Sequence, residues 1–185
     1  MIRGRRITLR PVEEPDYPLI HAWQNDPDVW SRMDYERPFS LRDIAESEAR
    51  SREEGAPFVI EAEGRPIGRI GLNRFRGRDR ICSLYLLIGD RTMWGKGYAT
   101  ESTATLLAYA FDRWDLYQVE LWTLADNAPA LRVYERCGFV RDGTLRARSF
   151  KDGAWVDRIV MSVRRDEFER ADAALRRRRE SAPRA

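Results

Sequence analysis

A chain of 185 residues with 43% hydrophobic and 34% charged residues has the size and balance of one folded domain, and its net charge of +3 is small. No apolar run approaches the ~20 residues of a membrane-crossing helix, and the basic start Met1-Ile2-Arg3-Gly4-Arg5-Arg6 leads into no apolar segment, so a protein with no membrane contact and a cytoplasmic location is expected. One histidine, His21, and two distant cysteines, Cys82 and Cys137, leave no material for a His-based triad, a multi-His metal site or a zinc or redox cysteine spacing. With no metal expected, any chemistry falls to backbone groups, carboxylates or tyrosines.

In chain order, Ile7-Thr8-Leu9-Arg10-Pro11-Val12 alternates apolar and polar residues and reads as a first strand. Asp16 is placed to cap a helix carrying Leu19, Ile20 and Trp23, which Asn25-Asp26-Pro27 ends. A less regular stretch holds Val29, Trp30, Met33, Tyr35 and Phe39. Ser40 then caps a helix over residues 41–54, with Asp43 as its capping-box partner, and Gly55-Ala56-Pro57 breaks it. Residues 58–62 and 66–72 flank Glu63-Gly64-Arg65 as a hairpin, and residues 81–88 form an almost continuously apolar central strand. A glycine-rich loop, a helix to about residue 113, a strand over 118–125 and a helix opened by Asp126-Asn127-Ala128-Pro129 follow. Phe139-Val140 and residues 155–163 close the sheet around the turn Lys151-Asp152-Gly153, and a polar helix starts at Asp166. This order implies an α/β (α+β) fold: one mixed sheet flanked by helices, with neither repeat nor linker.

Charge is uneven along the chain. From Arg164 to Ala185 eight arginines face five acids, and the remainder is neutral. A neutral body with a basic end argues against a dedicated nucleic-acid-binding domain. The run Arg176–Arg179 leaves room for weak contacts with RNA or acidic surfaces, but reads first as a solvated, partly disordered tail.

Between the central strand and the next helix lies Ile88-Gly89-Asp90-Arg91-Thr92-Met93-Trp94-Gly95-Lys96-Gly97-Tyr98-Ala99-Thr100-Glu101. Glycines let a backbone approach a bulky anion, and a helix start supplies free amides and a partial positive charge. The stretch therefore reads as a pyrophosphate cradle, with Lys96 at its rim. It is not a Walker A loop, which needs Gly-Lys-Ser/Thr. Nor is it the dinucleotide fingerprint, because Thr100 stands where the third glycine belongs.

Trp94-Gly95-Lys96-Gly97-Tyr98-Ala99 resembles motif A of the GNAT acetyltransferases, Gln/Arg-x-x-Gly-x-Gly/Ala, matching at Gly97 and Ala99 with Trp94 in place of Gln or Arg. Asn127-Ala128-Pro129-Ala130-Leu131-Arg132-Val133-Tyr134-Glu135-Arg136-Cys137-Gly138-Phe139 is similar to the family's Asn-x-x-Ala-x-x-x-Tyr-x-x-x-Gly-Phe segment. Trp94 and the turn at Lys151 resemble the RimJ/RimL-like branch. The resemblance runs from Ile7 to Phe168 and implies a single GNAT-like domain over residues 1–168, followed by an Arg-rich helix or tail over 169–185. It further implies a mostly antiparallel sheet whose parallel pair splays to form an acetyl-CoA cleft.

By that resemblance acetyl-CoA is the co-substrate, held by the loop Trp94 to Thr100, by the backbone of Leu87, Ile88 and Gly89, and by Asn127 and Tyr134. The acetyl group passes to a primary amine by direct attack in a ternary complex, with Tyr134 as the acid that protonates the departing thiolate. A phenol suits that role because it stays protonated at neutral pH. Glu120 is the candidate base, and Glu101 reads as a partner of the helix dipole. Trp30, Tyr35, Glu120 and Trp122 are candidate acceptor contacts. The acceptor stays open among protein N-termini, polyamines and other small amines. A non-catalytic acetyl-CoA sensor and a ribosome- or RNA-associated module are the competing readings, and the joint presence of Asn127 and Tyr134 argues against the sensor. The exposed apolar content would permit a homodimer.

Overall fold

The computed structural model describes residues 1–180. Period-two alternation organises the first strands: in β2 (Ile7–Pro11), Ile7 and Leu9 are buried while Thr8 and Arg10 face away. A short strand, β1 (Ile2–Arg3), pairs with β2 outside the expected elements, because two residues are too few to show a period. In α1 (Tyr17–Asn25), Ile20 and Trp23 form the buried stripe.

Asp16 does not cap α1 as expected. Its carboxylate accepts from the Glu13 amide at 2.9 Å and from both terminal nitrogens of Arg10 at 2.7 Å, closing a single 3-10 turn ahead of the helix. A bidentate, charge-assisted fork is the stronger bond, and it takes the side chain away from the helix amides. Asp26 ends α1 and caps α2 (Pro27–Trp30), a one-turn helix within the stretch expected to be irregular. In α3 (Leu41–Glu54) the capping box forms as expected: Ser40 Oγ accepts from the Asp43 amide at 3.1 Å, and the Asp43 carboxylate accepts from the Ser40 amide at 2.7 Å.

β3 (Ala56–Ala62) and β4 (Arg65–Arg76) form the hairpin about Glu63-Gly64. β5 (Ile81–Ile88), α4 (Tyr98–Arg113), β6 (Gln118–Leu124) and α5 (Ala128–Arg136) follow in the expected order. β7 (Val140–Lys151) and β8 (Ala154–Arg164) then close the sheet, and α6 (Arg165–Glu180) packs Phe168 into the core. β7 is far longer than the expected Phe139-Val140. It is the outermost strand and is mostly exposed, so its sequence carries no burial alternation. The boundary expected between residues 168 and 169 falls inside α6, and residues 181–185 of the expected tail lie outside the described residues.

The eight strands run in the order β1-β2-β3-β4-β5-β6-β8-β7. β5 and β6 are the parallel pair, and their pairing covers only Ile81–Ser83 against Gln118–Glu120. Beyond it β4 follows β5 to Ile88, and β8 follows β6 to Leu124. Each strand is held by its outer neighbour while the two part from each other. One core, with Leu106, Leu107, Phe111, Val119 and Met161, fills the side of α4. A second, with Ile20, Trp23, Ile44, Val59 and Leu87, lies beneath α1 and α3. Among the described residues no helix is long and apolar enough to cross a membrane.

Candidate active site

The parting of β5 and β6 opens a cleft of about 640 Å³. Its walls carry the cleft edges of both strands, the first turn of α4 and one face of α5. Of the residues singled out from the sequence, Leu87, Ile88, Trp94, Gly95, Gly97, Tyr98, Ala99, Thr100, Trp122, Asn127 and Tyr134 line it.

The loop at the start of α4 is built for an anion. Gly95 and Gly97 adopt φ of +75° and +84°, a region that side chains other than glycine rarely enter. Gly97 is the N-cap and offers no side chain, so the amides of Tyr98, Ala99 and Thr100 have no acceptor within the helix. Side chains in this loop do structural work. The Tyr98 hydroxyl donates to Glu63 at 2.7 Å and its ring lies 4.7 Å beneath the Arg6 guanidinium. Glu101 is buried and accepts from Arg6 Nε at 2.9 Å, an ion pair next to the dipole it was expected to serve. Lys96 does not line the cleft; its ammonium lies 3.7 Å from Met93 Sδ.

The edge of β5 differs in detail from the expectation. The Gly89 amide donates to Ile67 O at 3.0 Å, on the β4 side. Bonded and non-bonded pairs alternate along an antiparallel ladder, so Leu87 also turns its backbone to β4, while Leu86 and Ile88 turn theirs to the cleft. The backbone of Leu87 and Gly89 is therefore committed to the sheet, and Leu86 joins Ile88 at the open edge. Gly89 serves packing: a Cβ there would sit 2.0 Å from Trp23 Cγ. Trp94 is likewise more than a loop residue, since its indole nitrogen donates to Ile88 O at 2.8 Å.

On the opposite wall, Asn127 Oδ1 accepts from the Ala130 amide at 3.3 Å and caps α5, while its Nδ2 donates to Arg32 O at 3.1 Å. The Arg32 guanidinium stacks 4.6 Å from the Trp94 ring, so the segment after α2 is tied to both sides of the cleft. Tyr134 is only 6% exposed, packs 5.6 Å from Phe139 and makes no hydrogen bond to any described residue. Burial pushes its phenol above the usual tyrosine range, which keeps it a proton donor.

Where the strands divide, Glu120 Oε2 accepts from Arg76 at 2.8 Å and Oε1 from Ser83 at 3.3 Å. Trp122, on the same face, lies under Arg158 at 4.0 Å, and Arg158 pairs with Asp34. Trp30 and Tyr35 are not in the cleft. They stack on each other and on Phe39, with ring centroids 5.0–6.4 Å apart, as an aromatic cluster that braces the segment between α2 and α3. Several lining residues escaped the sequence reading: Arg32, Arg74, Tyr85, Arg132 and Arg136. Only the one-turn spacing of Arg132 and Arg136 on α5 could have signalled them in advance.

A family model described as an acetyltransferase (GNAT) domain matches residues 6–140. The spermidine N(1)-acetyltransferase of Vibrio cholerae is 27% identical over 166 residues, covering 88% of this chain and 95% of the relative. An aminoglycoside N(6′)-acetyltransferase type 1 of Klebsiella pneumoniae is 26% identical, over 89% of this chain and 86% of its own. Among solved structures, spermidine N-acetyltransferase from Vibrio cholerae in complex with CoA and spermine superposes with a TM-score of 0.82 at 26% identity, covering 89% of this chain and 98% of that one.

Proposed function

Because the chain belongs to the GNAT acetyltransferase family and is an acetyl-CoA-dependent N-acetyltransferase, we propose that Tyr134 is its general acid and that its acceptor is a small polyamine-like primary amine. One observation carries the first part: a buried phenol with no partner among the described residues stands in the wall of the splayed cleft. Its hydroxyl is not enclosed as the unpaired hydroxyls of Ser102 and Thr103 are, which leaves it open to a ligand in the cleft. The relatives carry the second part, and they shift the RimJ/RimL-like reading of Trp94 and the Lys151 turn toward the spermidine type.

Bound acetyl-CoA supplies an activated acetyl thioester. In our reading the amides of Tyr98, Ala99 and Thr100 hold its pyrophosphate, and the cleft-facing edge at Leu86 and Ile88 pairs with its pantetheine arm. Asn127 adds a side-chain contact, for which its Nδ2 would exchange Arg32 O. Holding both reactants in one cleft contributes a large part of the rate. Tyr134 gives its proton to the departing sulfur. Glu120 takes the acceptor's proton through a water, and a cationic amine arriving there would exchange for Arg76 on the same carboxylate.

The reading includes a cytoplasmic setting, which two free, buried cysteines suit. It also includes a homodimer across the β7 edge, where Val140, Leu145 and Phe150 stay exposed along a twelve-residue outer strand. Light scattering that finds only monomer at working concentration would remove that part. The acceptor is tested by thiol release from acetyl-CoA against spermidine, spermine, aminoglycosides, amino acids and N-terminal peptides. Polyamines should give the highest kcat/KM; preference for a peptide or amino acid would overturn the acceptor assignment and leave the donor chemistry standing.

A further inference from the structure

Helix α4 lines the acetyl-CoA cleft only through Tyr98, Ala99 and Thr100. Further along, Glu101, Thr105, Ala108, Tyr109 and Asp112 recur at the spacing of a single helix face, and that face floors a second groove of about 1000 Å³. Its walls come from residues 2–5 and from α6, and it shares no lining residue with the cleft. Gly4 lies directly on α4, since a Cβ there would stand 2.9 Å from Thr105 Oγ1, and this contact brings Arg3 and Arg5 to the groove.

The lining acids are each already held by an arginine: Glu101 by Arg6 at 2.9 Å, Asp112 by Arg165 at 3.5 Å and Asp172 by Arg176 at 2.7 Å. Arg3, Arg5 and Arg113 are left over. Among the described residues none of the three makes a hydrogen bond, an ion pair or a ring contact, and all are exposed. Arg3 and Arg5 stand beside Thr105, while Arg113 is eight residues further along α4, about 12 Å at the helical rise. A lone anion cannot meet both ends, whereas a chain of phosphates carries charge along its length. The paired acids interrupt the positive surface on α4 and α6, which suits a short chain within the groove rather than a long strand running across it.

We propose that this groove is a second binding site, for a small polyphosphate or a molecule that carries one, such as a nucleoside triphosphate. Guanidinium forks match phosphate oxygens in shape and charge, and a nucleotide's base has the half-buried Tyr109 ring to lie against. The site is tested by calorimetry with inorganic tripolyphosphate and with ATP, at about 150 mM KCl and with excess CoA present to occupy the cleft. Each should bind wild type; tighter binding of ATP assigns a nucleotide, and equal binding assigns the free polyphosphate. R3Q/R5Q/R113Q should raise both dissociation constants by about tenfold or more, because charge-assisted bonds are lost with the guanidinium groups. R141Q/R146Q/R148Q removes the same charge from exposed positions of β7, at the opposite edge of the sheet from β1, and should bind as wild type does. Both variants should melt as wild type does, since every substituted side chain is exposed. No binding to wild type, or equal losses in the two variants, overturns the site. Tighter binding of a single-stranded RNA than of either probe, lost in R3Q/R5Q/R113Q, overturns the small ligand in favour of a nucleic acid.

Discussion

Tyr134 shows how much one side chain depends on its surroundings. Its position three residues before Cys137, which bonds to the first turn of α4, is not what qualifies it; an unpartnered hydroxyl beside a cleft, with a phenol held protonated by burial, is. Tyr134→Phe removes the proton and little else, so kcat should fall about a hundredfold with the donor dissociation constant nearly unchanged. A kcat within a few-fold of wild type would return Tyr134 to the core. Because burial raises the phenol, Tyr134 should not limit kcat on the alkaline side below about pH 10, and a basic limb nearer pH 8 must belong to another group. The sequence pattern singled out this residue together with Asn127 and the two loop glycines, and all four line the cleft. Leu86 was missed for the reason that Leu87 and Gly89 were included: which way a backbone amide points depends on the β4 register, set by residues nearly twenty positions away.

At the scale of elements, the N-terminal helices are joined to the sheet by a buried ion pair. Glu48 on α3 is fully buried and lies against Arg69 on β4, whose guanidinium stacks 5.2 Å from Tyr85 at the cleft. Burial holds the Glu48 carboxyl above its usual range, with Arg69 pulling the other way. Removing one member of such a pair costs about 3–5 kcal/mol, because the other charge stays buried alone. Arg69→Met should therefore unfold at markedly lower temperature. The sign of its pH dependence follows from the raised carboxyl: the folded state holds a proton that the unfolded chain has released, so stability falls as pH rises from the unfolded pKa through the folded one. The variant's melting temperature should be higher near pH 5 than near pH 8, with a steeper slope than wild type. A flat profile would show that Glu48 is not the titrating group. Most element bounds were legible here, α3 with its capping box above all, because caps and periodicity are local. The Asp16 cap was misread because Arg10, on another element, competes for the same carboxylate.

Across the whole molecule, charge gathers where no local pattern announces it. Arg32, Arg74, Arg132 and Arg136 come from three separate segments and converge on one cleft, while its lining acid Asp34 is neutralised by Arg158. Such a cleft should attract a polyanionic donor, and screening should weaken that attraction. KM for acetyl-CoA should rise several-fold between about 50 and 500 mM KCl, over which the Debye length shrinks about threefold. A salt-independent KM would show that the loop amides alone hold the donor.

From the sequence alone, local chemistry gave an anion site at two glycines before a helix, and the family resemblance of that loop together with Asn127 and Tyr134 gave acetyl-CoA as the donor. Those features need only neighbours in the chain. The acceptor half was decided by tertiary structure. Trp30 and Tyr35 went to an aromatic brace, Glu120 to Arg76, and Arg158 to a bridge between Asp34 and Trp122. Each of these partners is distant in sequence or lies on a different element, and contacts of that kind have no period to read.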